Sequence, residues 1–379
     1  MSGDGNLSVV MLPDVSDSNP YQARLAEALE RRDVTVSGEP VLDVLPLSRA
    51  WLRSGRPDVV HLHWVDTFVN TDRAVVAILL GVSFLVELAV LRLLGIDVVW
   101  TVHNLASHER RHPRVEDLLR RVVARVATRL VVHCETAREQ VRTAYDLPDR
   151  VTTRIRVVPH GNYIGCYPDD VGRREARREL DIPDEVTVVL YFGLVREYKN
   201  VPQLIRTFGS LDDDARLVVV GNPWTDALEQ RVRSAAAGDD RVRTVLEYVP
   251  DEDIQVYMNA ADVVVYPFES VLTSGSTLLA MSFGRAVVVP DLGCPGELVD
   301  ERGGVLYDPD DPDGLSNALQ EAVSEDTDLA WMGRYNRRVA AALDWETIAS
   351  RTRDIYHRED ILADDDPSVR PRDPPARRQ

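Results

Sequence analysis

Short runs of β-branched residues alternate with amphipathic stretches along nearly the whole chain. In the first half, residues 8–12, 59–62, 98–102 and 130–133 read as strands, and 21–31 reads as a helix begun by Asn19-Pro20. In the second half the strands are 186–192, 217–220, 242–246, 263–266 and 286–289, with helices expected over 253–259 and 278–283. Strand, helix and strand in regular succession is the pattern of parallel βαβ units. The segment 156–161 closes the first half, where Pro159 and Gly161 end a strand, and 164–180 reads as a linker plus the first helix of a second domain. The expectation is an α/β chain of two doubly wound, Rossmann-like domains, 1–163 and 164–343. Ligands of such sheets lie beyond the carboxyl ends of the strands. Two sheets facing one another would place the site in the cleft between them. The tail 363–379, rich in Asp, Pro and Arg, is expected to be disordered.

One apolar stretch departs from this rhythm. Residues 74–86 carry no charge, and Glu87 and Arg92 follow. A spanning helix needs about 20 apolar residues, so the segment is too short and too soon charged to cross a bilayer. It reads either as a buried helix of an α/β domain or as a helix that lays an apolar face on lipid. Residues 115–130 read as a neighbouring helix, with Arg120, Arg121, Arg125 and Arg129 recurring along it. A solvated face accounts for that stripe, and so does an anionic membrane surface.

Composition narrows the classes. A length of 379 residues fits about two domains. The net charge of −18 opposes nucleic-acid binding, because a binding face would have to overcome a repulsive field. Acidic excess with arginine in place of lysine suggests adaptation to a salty, halophilic cytoplasm. Cys134, Cys166 and Cys294 are odd in number, widely separated and without metal-type spacing. The polar, acidic start Met1-Ser2-Gly3-Asp4-Gly5 does not resemble a secretory leader. A cytoplasmic protein is expected, resting on the inner face of the membrane if the apolar helix meets lipid.

The candidate chemistry concentrates after the strands of the second half. Lys199 is the only lysine in the chain, and it stands three residues from Arg196 just after Phe192-Gly193. A compact ammonium beside an arginine, where a strand opens into a loop, suits a diphosphate. A surface lysine spared by chance is the plain alternative. Gly221 follows another strand, and Tyr248-Val249 follows a third, where they would edge a base or form a turn. The segment from Pro267 to Thr277 leads into a helix through Glu269, Thr273, Ser274, Gly275, Ser276 and Thr277. Small polar residues at a helix start aim free N–H groups and the positive dipole end at the loop, a ready anion site. Four hydroxyl residues and a glycine in five positions exceed what a simple N-cap requires.

These motifs, in this order, resemble glycosyltransferase family four. The likeness runs through Phe192-Gly193 with Arg196 and Lys199, then Val219-Val220-Gly221, Tyr248 to Ile254, Ala261 to Pro267, and Ala280 to Val289, and covers 186–343. It implies the GT-B fold, a nucleotide-sugar donor bound mainly by the second domain as a co-substrate, no cofactor and no obligatory metal. It also implies that Arg196 and Lys199 hold the donor diphosphate and stabilise the leaving nucleotide, where charge accumulates in the transition state. Residues 344–362 are similar to the family's closing helix, which returns to the first domain. The usual family pattern has two glutamates with seven residues between them; here those positions are Val271 and Leu279, with Glu269 two residues before the first. Leucine cannot accept hydrogen bonds from ribose hydroxyls, so the nucleotide must be held differently. The chain more closely resembles a divergent branch of exopolysaccharide and glycolipid mannosyltransferases, some of which invert, and the stereochemistry stays open.

The first half adds His61-Leu62-His63-Trp64-Val65-Asp66 at one strand end and His103-Asn104 with His108 and Glu109 at another. His61 and His63 alternate and so share a face; a zinc pair is one reading, local hydrogen bonds the other. The resemblance makes His103 the residue that contacts the donor sugar. Asp66 and Glu109 are the candidate bases if the reaction inverts, and Asn19, His63 and Asn104 border the acceptor. The expected activity is transfer of a hexosyl group from a GDP- or UDP-sugar to a saccharide or lipid-linked saccharide. Two rivals stand beside it: a GT-B nucleotide-sugar epimerase, and a catalytically silent subunit that binds nucleotide-sugar, which Val271 and Leu279 would suit.

Overall fold

The computed structural model describes residues 7–17, 19–40, 44–107, 111–211 and 214–358. The contact pattern divides them into two units, one of residues up to 161 together with 344–358, the other of 162–343. Asn162 and Tyr163, expected with the first domain, belong to the second: the Asn162 side chain donates to the Ala340 carbonyl, and the Tyr163 N–H donates to Ser282 Oγ.

The first unit holds strands β1 (Leu7–Leu12), β2 (Val34–Gly38), β3 (Val59–Leu62), β4 (Asp97–Thr101), β5 (Arg129–Val132) and β6 (Ile155–Val157). They form one parallel sheet in the order β2-β1-β3-β4-β5-β6. Every residue of β3 is buried, as expected of a central strand covered on both faces. The second unit holds β7 (Val188–Phe192), β8 (Arg216–Val220), β9 (Val242–Val245), β10 (Val263–Val265), β11 (Ala286–Pro290) and β12 (Gly304–Tyr307). Their order is β12-β11-β10-β7-β8-β9, again all parallel. Strand order reverses between β1 and β3 in the first sheet and between β7 and β10 in the second. A crevice opens at the carboxyl end of such a switch point, and most of the sequence candidates lie in the loops after these four strands or their neighbours.

The strands foreseen from sequence all form, within one or two residues at most ends. Two were not foreseen, β2 and β12. Both are sheet edges and only partly buried: Thr35 and Ser37 interrupt the apolar positions of β2, and β12 offers a run of only three, Val305 to Tyr307, after Gly304. The helix expected over 115–130 is Pro113–Val126, and Arg129 opens β5 instead of extending the arginine stripe. Arg120 leaves the stripe as well, because it is buried and paired with acidic side chains.

The Trp345–Tyr356 helix is capped by Asp344, whose carboxylate accepts from the Thr347 N–H. It packs against the Pro20–Glu30 helix, sharing a core with Tyr21, Leu25 and Leu29. Only glycine fits at position 161, where a Cβ would fall 2.5 Å from the Trp345 ring.

The apolar segment near residue 74 is a single helix, Ala74–Leu93. Phe84, Glu87, Leu88 and Leu91 face inward, whereas Val75, Ile78, Leu79, Val82, Val86, Val90 and Leu93 are exposed. Among the described residues it alone is long and apolar enough to span a bilayer by length and composition. Its charges tie it to the protein: Glu87 accepts from the Ser48 N–H at the start of the Pro46–Arg53 helix, and Arg92 donates to the Ile96 carbonyl.

Candidate active site

In the second unit, β7 and β8 end in two glycines pressed together. Gly193 and Gly221 both have positive φ, and a Cβ on Gly221 would lie 2.0 Å from the Gly193 carbonyl oxygen. The chain then turns through Arg196 into a short 3-10 segment, Glu197–Lys199, and Asn200 takes a left-handed conformation to start the next helix. That turn folds Lys199 back under the loop. A Cβ on Gly193 would sit 3.3 Å from Lys199 Nζ and 3.8 Å from Ser276 Oγ, so lysine, serine and bare backbone converge on one spot. Lys199 is buried, and that burial, followed by the nearby Arg196 charge, pulls its ammonium from 10.5 down to about 8. Among the described residues the charge acting on this ammonium is the like charge of Arg196, and an anion would supply the opposite one.

The helix Gly275–Ser282 reaches this spot with its N-terminus. Ser274 is its N-cap, with Oγ accepting from the Thr277 N–H, and the Thr277 hydroxyl donates back to Ser274. The capping role weighed against anion binding is therefore real for Ser274 and Thr277. It leaves the N–H groups of Gly275 and Ser276 as the first-turn donors at the positive end of the dipole. Tyr266 braces the turn by donating to the Ser276 carbonyl. Thr273 has its hydroxyl 3.6 Å from the Cys294 sulfur.

Arg196 lies with its guanidinium carbon 3.7 Å from the centre of the Trp224 ring. Trp224, half exposed in the loop after β8, escaped the sequence reading because an isolated tryptophan beyond a strand carries no motif. Other candidates stand apart from this convergence. Glu269 is exposed and lines a groove of about 800 Å³ with Glu197, Asn200, Arg206 and Arg231. Tyr248 is exposed after β9, and Val249 packs partly against the core. Leu279 is buried in that core and Val271 packs against it, so both side chains serve packing.

In the first unit the candidates lie at the carboxyl edge of the sheet. His63 and His103 meet, Nδ1 to Nε2, at 3.1 Å. Trp64 stacks on His103 at 4.4 Å, and the Tyr21 ring packs edge-on against it at 5.1 Å. Burial, reinforced by neighbouring imidazoles, holds both histidines well below the usual range, so they are neutral near pH 7. His61 does not form a zinc pair with His63. Its Nδ1 lies 2.6 Å from the Tyr356 hydroxyl and its Nε2 2.8 Å from the Thr101 hydroxyl, so both nitrogens are occupied. Among the described residues no group of three or more His, Cys, Asp or Glu side chains is arranged to hold a metal ion.

Other first-unit candidates are spent on structure. Asp66 lies 3.4 Å from the buried guanidinium of Arg120, which also faces Glu116 at 3.7 Å. Its carboxylate thus balances a buried charge, a different duty from that of a base. Asn19 caps the Pro20–Glu30 helix by accepting from the Tyr21 N–H. The Asn104 carbonyl accepts from the Tyr145 hydroxyl at 3.4 Å. Glu109 and His108 lie outside the described residues. Sequence reasoning missed Tyr21, His133 and His160 as members of the same cluster; the available signal was a histidine just past each of several successive strands.

Comparison with known proteins covers both units. Residues 37–162 match the family described as Glycosyltransferase Family 4, and residues 186–325 match Glycosyl transferases group 1. A GDP-mannose:glycolipid 4-beta-D-mannosyltransferase of Xanthomonas campestris pv. campestris is 29% identical over 289 residues, covering 76% of this chain and 74% of that protein. Among solved structures, sucrose-phosphate synthase from Thermosynechococcus elongatus superposes with a TM-score of 0.73 at 17% identity, covering 93% of this chain and 99% of that one. Anabaena Alr3699/HepE, solved in complex with UDP-glucose, gives a TM-score of 0.67 at 16% identity, covering 93% and 99%.

Proposed function

We propose, on the premise that this chain is a GT-B glycosyltransferase of the family-four kind, that it transfers a hexosyl group from a GDP- or UDP-sugar to a lipid-linked saccharide. The observation that carries the reading is the convergence of Lys199, Ser276 and the bare Gly193 backbone on one spot beside Arg196. In this reading the diphosphate sits there, neutralising the buried ammonium, and the first-turn N–H groups of Gly275 and Ser276 share its charge. Lys199 and Arg196 then stabilise the leaving nucleotide as the glycosidic bond breaks. His103 positions the sugar. Glu109 is the carboxylate we assign to deprotonate the acceptor hydroxyl if the sugar inverts, since Asp66 has Arg120 to balance. GDP-mannose is the first donor to test, because a glycolipid mannosyltransferase is among the relatives.

The acceptor class rests on the Ala74–Leu93 helix, one face of which is an unbroken apolar stripe open to solvent. Leu118 on the adjoining Pro113–Val126 helix is exposed too, as are Arg114 and Arg121. Apolar side chains with arginines beside them suit the headgroup boundary of an anionic bilayer. The protein is accordingly proposed to rest on the cytoplasmic face of the membrane, in a salty cytoplasm that screens its net charge of −18.

The test is transfer of label from a panel of GDP- and UDP-sugars to lipid-extractable material, with native membranes in molar potassium chloride and Lys199→Ala as control. Label from one donor, lost in the variant, is the expected result. Donor binding with no transfer to any acceptor would instead favour the silent subunit that Val271 and Leu279 suggest.

A further inference from the structure

The first sheet ends in a row of histidines. His63, His103, His133 and His160 follow β3, β4, β5 and β6, four strands that are neighbours in the sheet. Their ring centres are spaced 5.4, 5.4 and 5.3 Å along the row, and the Tyr21 ring touches all four. A buried imidazole without charge has one N–H and one bare nitrogen, so the hydrogen bonds decide where each proton sits.

At His133 the answer is direct. Nδ1 lies 2.9 Å from the Val158 carbonyl, which can only accept, so Nδ1 carries the proton and the buried Nε2 is a bare lone pair with no partner. At His160 the Nδ1 likewise lies 2.7 Å from a carbonyl, that of Gly161, and carries the proton. At His63 the shared hydrogen bond to His103 permits two arrangements. If His103 were the donor, His63 would carry its proton on Nε2, which is buried and has no hydrogen-bond partner. An orphaned buried N–H is the rarer and costlier outcome; an orphaned lone pair is tolerated, as at His133. His63 therefore donates from Nδ1. His103 then accepts at Nε2 and must hold its own proton on Nδ1.

We propose that His63 is a positioning residue that locks His103 as the Nδ1–H tautomer, making His103 a hydrogen-bond donor to the substrate and not a base. The proposal rests on the reading that His103 meets the sugar. It adds that His103 has no lone pair left with which to remove a proton, since Nε2 is already occupied by His63. A sugar hydroxyl or ring oxygen can accept from Nδ1–H. The proton lost by an acceptor hydroxyl must go elsewhere. His63 Nδ1 is the atom that enforces this, and an asparagine amide reaches a similar point from the backbone.

The experiment is long-range proton–nitrogen correlation on the full-length enzyme with histidine labelled in both ring nitrogens, assigned by single substitution. Wild-type His103 should show the pattern of a protonated Nδ1 and a bare Nε2. His63→Leu should release it to a mixture of tautomers and lower kcat at least tenfold, while His63→Asn, which can still donate, should keep the Nδ1–H pattern and most of the turnover. A wild-type His103 protonated on Nε2 overturns the proposal without any variant. So does a His63→Leu protein that keeps both the tautomer and the turnover. The spectrum is read on free enzyme, so its outcome is separate from that of the proposed reaction. A correct tautomer with no sugar transfer would sink the function and leave the lock standing.

Discussion

The two units divide the chain's titratable chemistry between them. The seven described histidines lie in the first unit, and the only lysine lies in the second. His61, His63, His103 and His133 in the first unit and Lys199 in the second are all buried with depressed proton affinity, but the effects fall on opposite sides of neutrality. The imidazoles are pressed into the neutral state, His61 to about 3 and His133 to about 4, whereas Lys199 at about 8 still carries its charge at pH 7. One sheet edge is thus an uncharged hydrogen-bonding surface, and the other is a cationic site. A sugar needs the first kind of surface and a diphosphate the second.

The largest way to stress that contrast is acid. His61 and His133 bind fewer protons folded than unfolded once the pH is below about 6.5, so the stability they confer is complete above that value and drains as pH falls towards 4. Each unbound proton is worth about 1.4 kcal/mol per pH unit, so the pair costs roughly 3 kcal/mol per unit. Hydrogen exchange read by peptide should show the first unit losing protection between about pH 6 and 4 while the second holds. Equal loss in both would erase the distinction.

Lys199 probes the other side. Lys199→Ala should lower turnover at least tenfold, about 1.4 kcal/mol of transition-state stabilisation, and unchanged kinetics would remove its role. In the wild type, kcat/KM should hold below about pH 8 and fall above it, as the ammonium loses its proton. Lys199→Arg, whose guanidinium stays charged, should flatten that alkaline limb even if it is slower overall.

Surface contacts come next. Leu79→Asp with Val82→Asp, both on the exposed stripe, should reduce sedimentation with anionic vesicles at least tenfold, since the two side chains, each half-buried in the apolar phase, contribute about 1.5–3 kcal/mol together. Equal vesicle binding by wild type and variant would move the acceptor to the soluble class. The smallest effect is expected at Trp224. An exposed cation–π contact is worth about 0.5–1 kcal/mol, so Trp224→Ala should raise the donor KM two- to fivefold through a loosened Arg196.

The fold was legible because central parallel strands are apolar throughout, as in Val188–Phe192 and Val263–Val265. The two missed strands, β2 and β12, are partly buried edges, the first interrupted by Thr35 and Ser37 and the second only three apolar residues long. The convergence after β7 was legible for a different reason: Gly193, Arg196 and Lys199 lie within seven positions of one loop, so sequence proximity stands in for spatial proximity. The histidine row has no such advantage. His63, His103, His133 and His160 become neighbours only through strand pairing, and their hydrogen bonds depend on rotamers no sequence prints. Arg120 is the instructive error. An arginine recurring along a helix was read as surface, but Asp66 and Glu116, one of them far away in the chain, supply the charge that lets it be buried.

The contact between Gly193 and Gly221 reaches beyond catalysis into how such a molecule can be altered. With no room for a methyl group between them, the loops after β7 and β8 are a single mechanical part made from two separate pieces of chain. Anyone recasting donor choice by exchanging loops with a relative would have to move both pieces together, because either one alone meets a neighbour shaped for a different partner.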